Sequence, residues 1–178
     1  FDALNEVDFK VEEIRRKRCE IGNIHYQVGN EILQGPRLPR LNLEDIPSPY
    51  LMGLMDKFFD NNLGPMIHTT RGCPFKCTFC SNKNFWGQRI HYRSVKQVVD
   101  EMEILKFKYN ADIIGFNDDN FFVHKKRCVN IFNEINKRKL KVKWYAQGGT
   151  LVRSLADDEF LEKALESGLC FLNLAIES

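Results

Sequence analysis

The sequence has no apolar run long enough to cross a bilayer, and no leader with a charged start and an apolar middle. It has no internal repeat, no low-complexity tract and no surplus of one charge. Lys plus Arg number 26 against 24 Asp plus Glu, a formal net charge of +2. So small an imbalance excludes the basic footprint of a nucleic-acid or membrane-surface binder. An initiating Met is missing too: the chain opens on Phe1 and closes on Ser178, so a fragment is expected. These absences point to the cytoplasm. The 43% hydrophobic and 28% charged residues suit a packed core, and 178 residues suffice for one domain with an appendage.

Cysteine is scarce except in one place. Cys73, Cys77 and Cys80, three of the six, fall within eight residues. Cys19, Cys128 and Cys170 stand apart in apolar surroundings and read as small core residues. Crowding of this kind suits a metal site in a reducing compartment better than a disulfide framework.

The texture changes near residue 65. Before it, a charged run at 9–18 leads to Ile24–Val28 and Glu31–Leu33, which flank Gly29-Asn30 as a two-residue hairpin turn. Pro36, Pro39, Pro47 and Pro49 then predict an extended linker laid over a surface. After it, strands and helices alternate. Met66–Thr70 reads as a strand, and Ser94 with Gln97 as a capping box opening a helix with Val95, Val98, Met102 and Leu105 inward. Asp112–Phe116 is a strand with Ile113 and Ile114 buried, followed by a helix through Cys128, Ile131, Phe132 and Ile135. Val142–Ala146 is a strand. Asp157 caps a helix with Phe160, Leu161, Ala164 and Leu165 inward, Gly168 stops it, and Leu169–Ile176 is the last strand. The fold class is α/β, with parallel strands side by side joined by right-handed crossovers. About four β/α units are too few to close a barrel.

The run Arg71-Gly72-Cys73-Pro74-Phe75-Lys76-Cys77-Thr78-Phe79-Cys80 carries the chemistry. Three thiolates in one loop can hold a four-iron cubane and leave one iron open, as a catalytic site requires. Gly72 and Pro74 would bend the chain round it, and Phe75 and Phe79 would screen it from water. A Cys3His zinc site borrowing His68 or His91 is the alternative.

Cys-x3-Cys-x2-Cys with an aromatic residue before the last cysteine resembles the radical S-adenosylmethionine superfamily. The likeness covers residues 66–178. It implies the first part of a partial (β/α)6 barrel, with Cys73, Cys77 and Cys80 on a 4Fe–4S cluster. It also implies S-adenosylmethionine chelated to the open iron and cleaved to methionine and a 5′-deoxyadenosyl radical, with Phe79 among the cofactor contacts. Where the family often has a Gly-Gly-Glu-like motif facing the methionine amino group, this chain departs with Asn117-Asp118-Asp119-Asn120. Asp118, Asp119 and Asn120 are therefore candidate cofactor contacts, with a helix cap as the plain alternative. Gln147, at the end of the third strand, is a candidate for the ribose or carboxylate, or a loop residue. Glu177 matches an Ile-Glu-Ser strand end. Such strand ends share the rim where barrel enzymes keep their chemistry. Of the basic residues Arg71, Lys76, Arg89 and Arg93, one could meet a substrate anion, and solvated charge is the default. His25, His68, His91 and His124 carry no signal, and Trp86 and Trp144 read as packing.

Asn23-Ile24-His25-Tyr26 and Leu43–Tyr50 resemble the bridge of the cobalamin-linked branch. That likeness implies that residues 1–65 are a bridging segment after a cobalamin-binding domain lying before Phe1. The implied reaction is methylation of an unactivated centre or a cyclisation. The implied partners are a small-molecule or lipid-like substrate and an electron donor such as flavodoxin or ferredoxin. A radical enzyme without cobalamin and a non-catalytic zinc- or cluster-stabilised module remain the alternatives.

Overall fold

The computed structural model describes residues 22, 24–36, 42–57, 59 and 64–176. The charged run at 9–18, Cys19, Asn23, Pro39, Glu177 and Ser178 lie outside the described residues. Two compact units divide after Leu41.

In the first unit, β1 (His25–Val28) and β2 (Glu31–Gln34) form the expected antiparallel hairpin, with Val28 opposite Glu31. Gly29 turns the chain with a φ of 59°, a conformation in which a side chain would be strained.

The second unit begins with a correction. Residues 42–57 are a succession of turns rather than an extended linker. Asn42 caps a 3-10 turn at Leu43–Asp45 through the Glu44 amide, and the Pro49 carbonyl accepts from Leu54 at 3.0 Å. Pro49 takes the second position of the turn closed by the Met52 amide on the Ser48 carbonyl, which its fixed φ suits. The segment is tied to the core. Ser48 and Arg93 both hydrogen-bond to the buried Glu101 carboxylate, and Tyr109 Oη donates to Asp56.

The core is a four-stranded parallel sheet in the order β3 (Met66–Ile67), β6 (Ile113–Phe116), β7 (Lys143–Leu151), β8 (Leu169–Ala175). The four strands follow one another across the sheet in chain order, as consecutive β/α units do. The crossover helices are α2 (Val95–Phe107), α3 (Lys125–Lys137) and α5 (Asp158–Glu166), with α2 packed on α3 and α3 on α5. Ser94 accepts from the Gln97 amide at 3.3 Å, but the Gln97 side chain bonds the Glu44 carbonyl, so the capping box is only half formed. Asp157 caps α5 as expected, and Gly168 stops it with a φ of 105°.

The first expected strand is broken in two. β3 ends at Ile67, and β4 (Thr70–Arg71) pairs antiparallel with β5 (His91–Tyr92). Ile113 and Leu165 lie at element ends and are exposed instead of buried. The helix-facing side of the sheet is centred on Trp144, stacked between Phe116 at 5.0 Å and Phe132 at 5.5 Å. Its indole N–H donates to Ser167. On the opposite face Gly115 leaves room for Tyr145: a Cβ there would lie 2.7 Å from the ring.

Trp144→Ala should lower stability by about 3–5 kcal/mol, since it leaves a cavity between two aromatic rings. Leu165→Ala, 55% exposed, should change it by no more than about 0.5 kcal/mol. Denaturant unfolding of the two variants checks the contrast.

Candidate functional site

The β3–β6 ladder ends where the Asn117 amide bonds the Ile67 carbonyl at 2.9 Å. One residue on, Asp118 turns inward and is 2% exposed. Its Oδ1 accepts from the Thr69 amide at 2.6 Å and the Thr70 amide at 3.0 Å, and its Oδ2 from the Thr69 hydroxyl at 2.5 Å. This latch draws the chain away from β3 and into β4, which splits the strand. Burial pushes the Asp118 carboxyl above its ordinary pKa, and the Thr69 and Thr70 donors pull it back. Arg127 of α3 completes the knot. It bonds the Thr69 hydroxyl at 3.1 Å and the Thr69 and Arg93 carbonyls at 3.0 Å.

The cysteine loop leaves β4 through Gly72, whose amide donates to Asp119 Oδ2 at 2.9 Å. Gly72 has a φ of 94°, and any Cβ there would collide with the Arg89 carbonyl. Cys73, Cys77 and Cys80 follow, all half-buried and unpaired. Burial pushes the Cys73 thiol up, the Phe75 amide holds it down, and Asp119, Cys77 and Cys80 push it further up. The sulfurs therefore share one electrostatic neighbourhood. Cys80 Sγ accepts from the Asn82 amide at 3.5 Å, at the start of α1 (Asn82–Trp86).

Among the described residues, no three His, Cys, Asp or Glu side chains are grouped to hold a single metal ion. Tetrahedral zinc would draw its sulfurs to about 3.8 Å from one another. A cubane takes each thiolate on a different iron and so asks for a wider spacing. The donor set fits such a cluster: three thiols on one loop, with amide donors to two of the sulfurs. Two buried amide oxygens near the loop, Asn82 Oδ1 and Asn120 Oδ1, have no hydrogen-bond partner.

Several sequence expectations change at this point. Asp118 has no free oxygen for a cofactor: its carboxylate supports the loop. Asp119 is exposed and has one oxygen on Gly72. Asn120 is buried without forming a side-chain cap. Gln147 lies inside β7 instead of at its end, because the strand continues through an irregularity between Ala146 and Gly149. Gly148 makes that irregularity possible, since a Cβ would run into the Asp118 carbonyl. Phe79 is 70% exposed and screens nothing, whereas Phe75 is half-buried under the Arg153 guanidinium at 5.0 Å. Arg93 is engaged by Glu101 and the His68 carbonyl, and Arg71 stacks 5.1 Å over Trp86. Cys128 is buried as expected, but Cys170 is exposed, its thiol on the Trp144 carbonyl. Sequence reasoning missed Arg127, Arg153 and the capping role of His124, whose Nδ1 accepts from the Arg127 amide. The inward turn of Asp118 was legible as strand alternation continued past Phe116.

Asp118→Ala would orphan the Thr69 and Thr70 amides, at about 1–3 kcal/mol. Trypsin should then cut faster after Lys76. Asp112→Ala, which removes an exposed surface carboxylate, should leave the cutting rate unchanged.

Comparison with known proteins bears on this site. The sequence profile described as the Radical SAM superfamily matches residues 67–178. An uncharacterized methyltransferase of Pyrococcus horikoshii is 33% identical over 150 residues, covering 83% of this chain and 32% of that protein. Cytidylyl-2-hydroxyethylphosphonate methyltransferase of Streptomyces wedmorensis is 34% identical over 134 residues, 74% of this chain and 22% of that protein. Anaerobic magnesium-protoporphyrin IX monomethyl ester cyclase of Rubrivivax gelatinosus is 32% identical over 61% of this chain and 19% of that protein. The chain thus spans 32% or less of these relatives. The structure of the cobalamin-dependent S-adenosylmethionine radical enzyme OxsB superposes with a TM-score of 0.73 at 18% identity, over 97% of this chain and 26% of that one. TsrM from Kitasatospora setae gives a TM-score of 0.70 at 19% identity, over 97% of this chain and 35% of that one. At such identities the two structures speak for the fold: the parallel sheet is that of a radical S-adenosylmethionine barrel. The profile covers well over half of the chain, and on that ground the chain belongs to the radical SAM superfamily, a family of enzymes that use a 4Fe–4S cluster and S-adenosylmethionine.

Proposed function

We propose that the whole protein is a radical S-adenosylmethionine enzyme whose cluster is held by Cys73, Cys77 and Cys80, and that it is a cobalamin-dependent methyltransferase or a related cyclase. The carrying observation is three half-buried thiols on one loop at the C-terminal rim of a parallel sheet, inside the span that matches the family. Methyltransferase and cyclase names among the relatives support the finer reading. When bound, the cluster supplies the electron that cleaves the sulfonium of S-adenosylmethionine into methionine and a 5′-deoxyadenosyl radical.

The chain's own residues hold and orient. Asp118 and Arg127 fix the loop's base through Thr69, while Asp119 fixes its first turn at Gly72. The exposed Phe79 ring offers a flat face for the adenine, and Asn120 Oδ1 a buried acceptor for the methionine ammonium. Asp119 retains an oxygen for the same purpose, and Gln147 is exposed on β7 within the same rim. Glu177 completes the candidates by resemblance. A small-molecule or lipid-like substrate and an electron donor such as flavodoxin or ferredoxin complete the reading. No helix among the described residues is long and apolar enough to cross a membrane.

The test is low-temperature electron paramagnetic resonance on the anaerobically reduced full-length protein. A 4Fe–4S signal that shifts when S-adenosylmethionine is added is the expected result, and zinc in place of iron would defeat the reading. Changing Cys73, Cys77 or Cys80 to Ala should abolish iron loading. Cys128→Ala should retain it, since that thiol is buried and pushed up to about 12. Cobalamin in the purified protein, read by its visible absorbance, separates the cobalamin branch from a radical enzyme without it.

A further inference from the structure

β7 delivers the chain at the rim to a short helix, α4 (Val152–Leu155). From there the Arg153 guanidinium reaches across to the cysteine loop and lies 5.0 Å from the ring centroid of Phe75, which stands between Cys73 and Cys77. A cation over an aromatic face spends none of its N–H donors on hydrogen bonds to that face. Among the described residues no acceptor takes up these donors, and the side chain is exposed. Its neighbours are differently employed. Arg93 is bound by Glu101, and Arg127 by the Thr69 and Arg93 carbonyls. Asp119, the carboxylate that acts on Cys73, is turned to the Gly72 amide. Arg153 is thus a fork of donors beside an aromatic face, with no anionic partner among the described residues. A planar fork of donors is suited to carboxylate and phospho groups.

We propose that Arg153 is the receptor for a carboxylate or phospho group of a molecule lying over the cysteine loop. The proposal rests on the radical enzyme reading of that loop. Two sources have this chemistry: the carboxylate of S-adenosylmethionine, or an anionic group on the substrate. The experiment compares the full-length, cluster-loaded protein with Arg153→Gln and Arg153→Lys, iron content being matched first. Calorimetry with S-adenosylmethionine and with its decarboxylated analogue reads one source, and the 31P line width of inorganic phosphate reads the other. If the cofactor supplies the anion, Arg153→Gln weakens S-adenosylmethionine by about tenfold, Arg153→Lys by less, and the decarboxylated analogue binds all three alike. If the substrate does, S-adenosylmethionine binds equally and phosphate broadening disappears in Arg153→Gln. Unchanged behaviour of both probes in Arg153→Gln overturns the proposal. Should the wild-type protein hold no iron, the radical enzyme reading fails by itself, and the phosphate measurement still decides whether Arg153 is an anion site.

Discussion

The buried carboxylate of Asp118 is the constraint on which the site depends. A parallel strand pair would continue its ladder past Ile67, and the Thr69 and Thr70 amides would seek backbone carbonyls. Asp118 takes both amides and the Thr69 hydroxyl instead. The chain then has to turn out of the sheet, and the cysteine loop begins where that turn ends. Burying a carboxylate is costly unless donors surround it, and here several do. Arg127 hydrogen-bonds Thr69 and not Asp118, and the two charges attract each other across that short gap. Burial still outweighs these donors, and the carboxyl's pKa stands above its ordinary value. By linkage, this group's contribution to stability is complete at low pH and declines as pH rises through the folded-state pKa.

Backbone packing behind the latch is equally specific. Gly148 of β7 backs onto the carbonyls of Asp118 and Asp119, so any side chain at 148 would push the segment out of line. The strand irregularity between Ala146 and Gly149 lets β7 give up regular pairing there and still rejoin β8 at Asn173. Gln147 and Asn173 compensate in part, the Asn173 side-chain Nδ2 donating to the Gln147 backbone carbonyl at 2.8 Å. A bend of this type in a barrel strand re-aims side chains at the rim.

What could be read from the sequence was local. Asp157 and Ser94 cap helices because a short polar side chain next to a helical apolar period has one favourable use. Gly29-Asn30 and Gly168 reveal turns because few residues tolerate positive φ. The cysteine loop is recognisable because its three cysteines are close in sequence. What could not be read was which distant groups meet. Asp118 looked like a cofactor contact because its partners lie nearly fifty residues upstream, at Thr69 and Thr70. The Pro-bearing segment looked extended because proline says nothing of Ser48, which finds Glu101 across the fold. Arg153 carried no signal at all, since its partner is a ring in another loop.

The cysteine loop is anchored unevenly, and this bears on how it would work. Its first half is tied at Gly72 to Asp119, and at Phe75 to Arg153. Its far end is tied by α1, where Trp86 lies under Arg71. Between these anchors, Thr78 and Phe79 form a turn with the ring turned outward. On the function proposed above, a site that holds inorganic atoms still while admitting an organic cofactor needs both properties: a rigid floor under the sulfurs and an open lip beside them. Rigidity comes from buried charge and glycine backbone, which tolerate little displacement. Openness comes from an exposed aromatic ring, whose apolar face has no protein partner and gains most from being covered. On the function proposed above, a bound cofactor would cover the Phe79 ring that the chain leaves exposed.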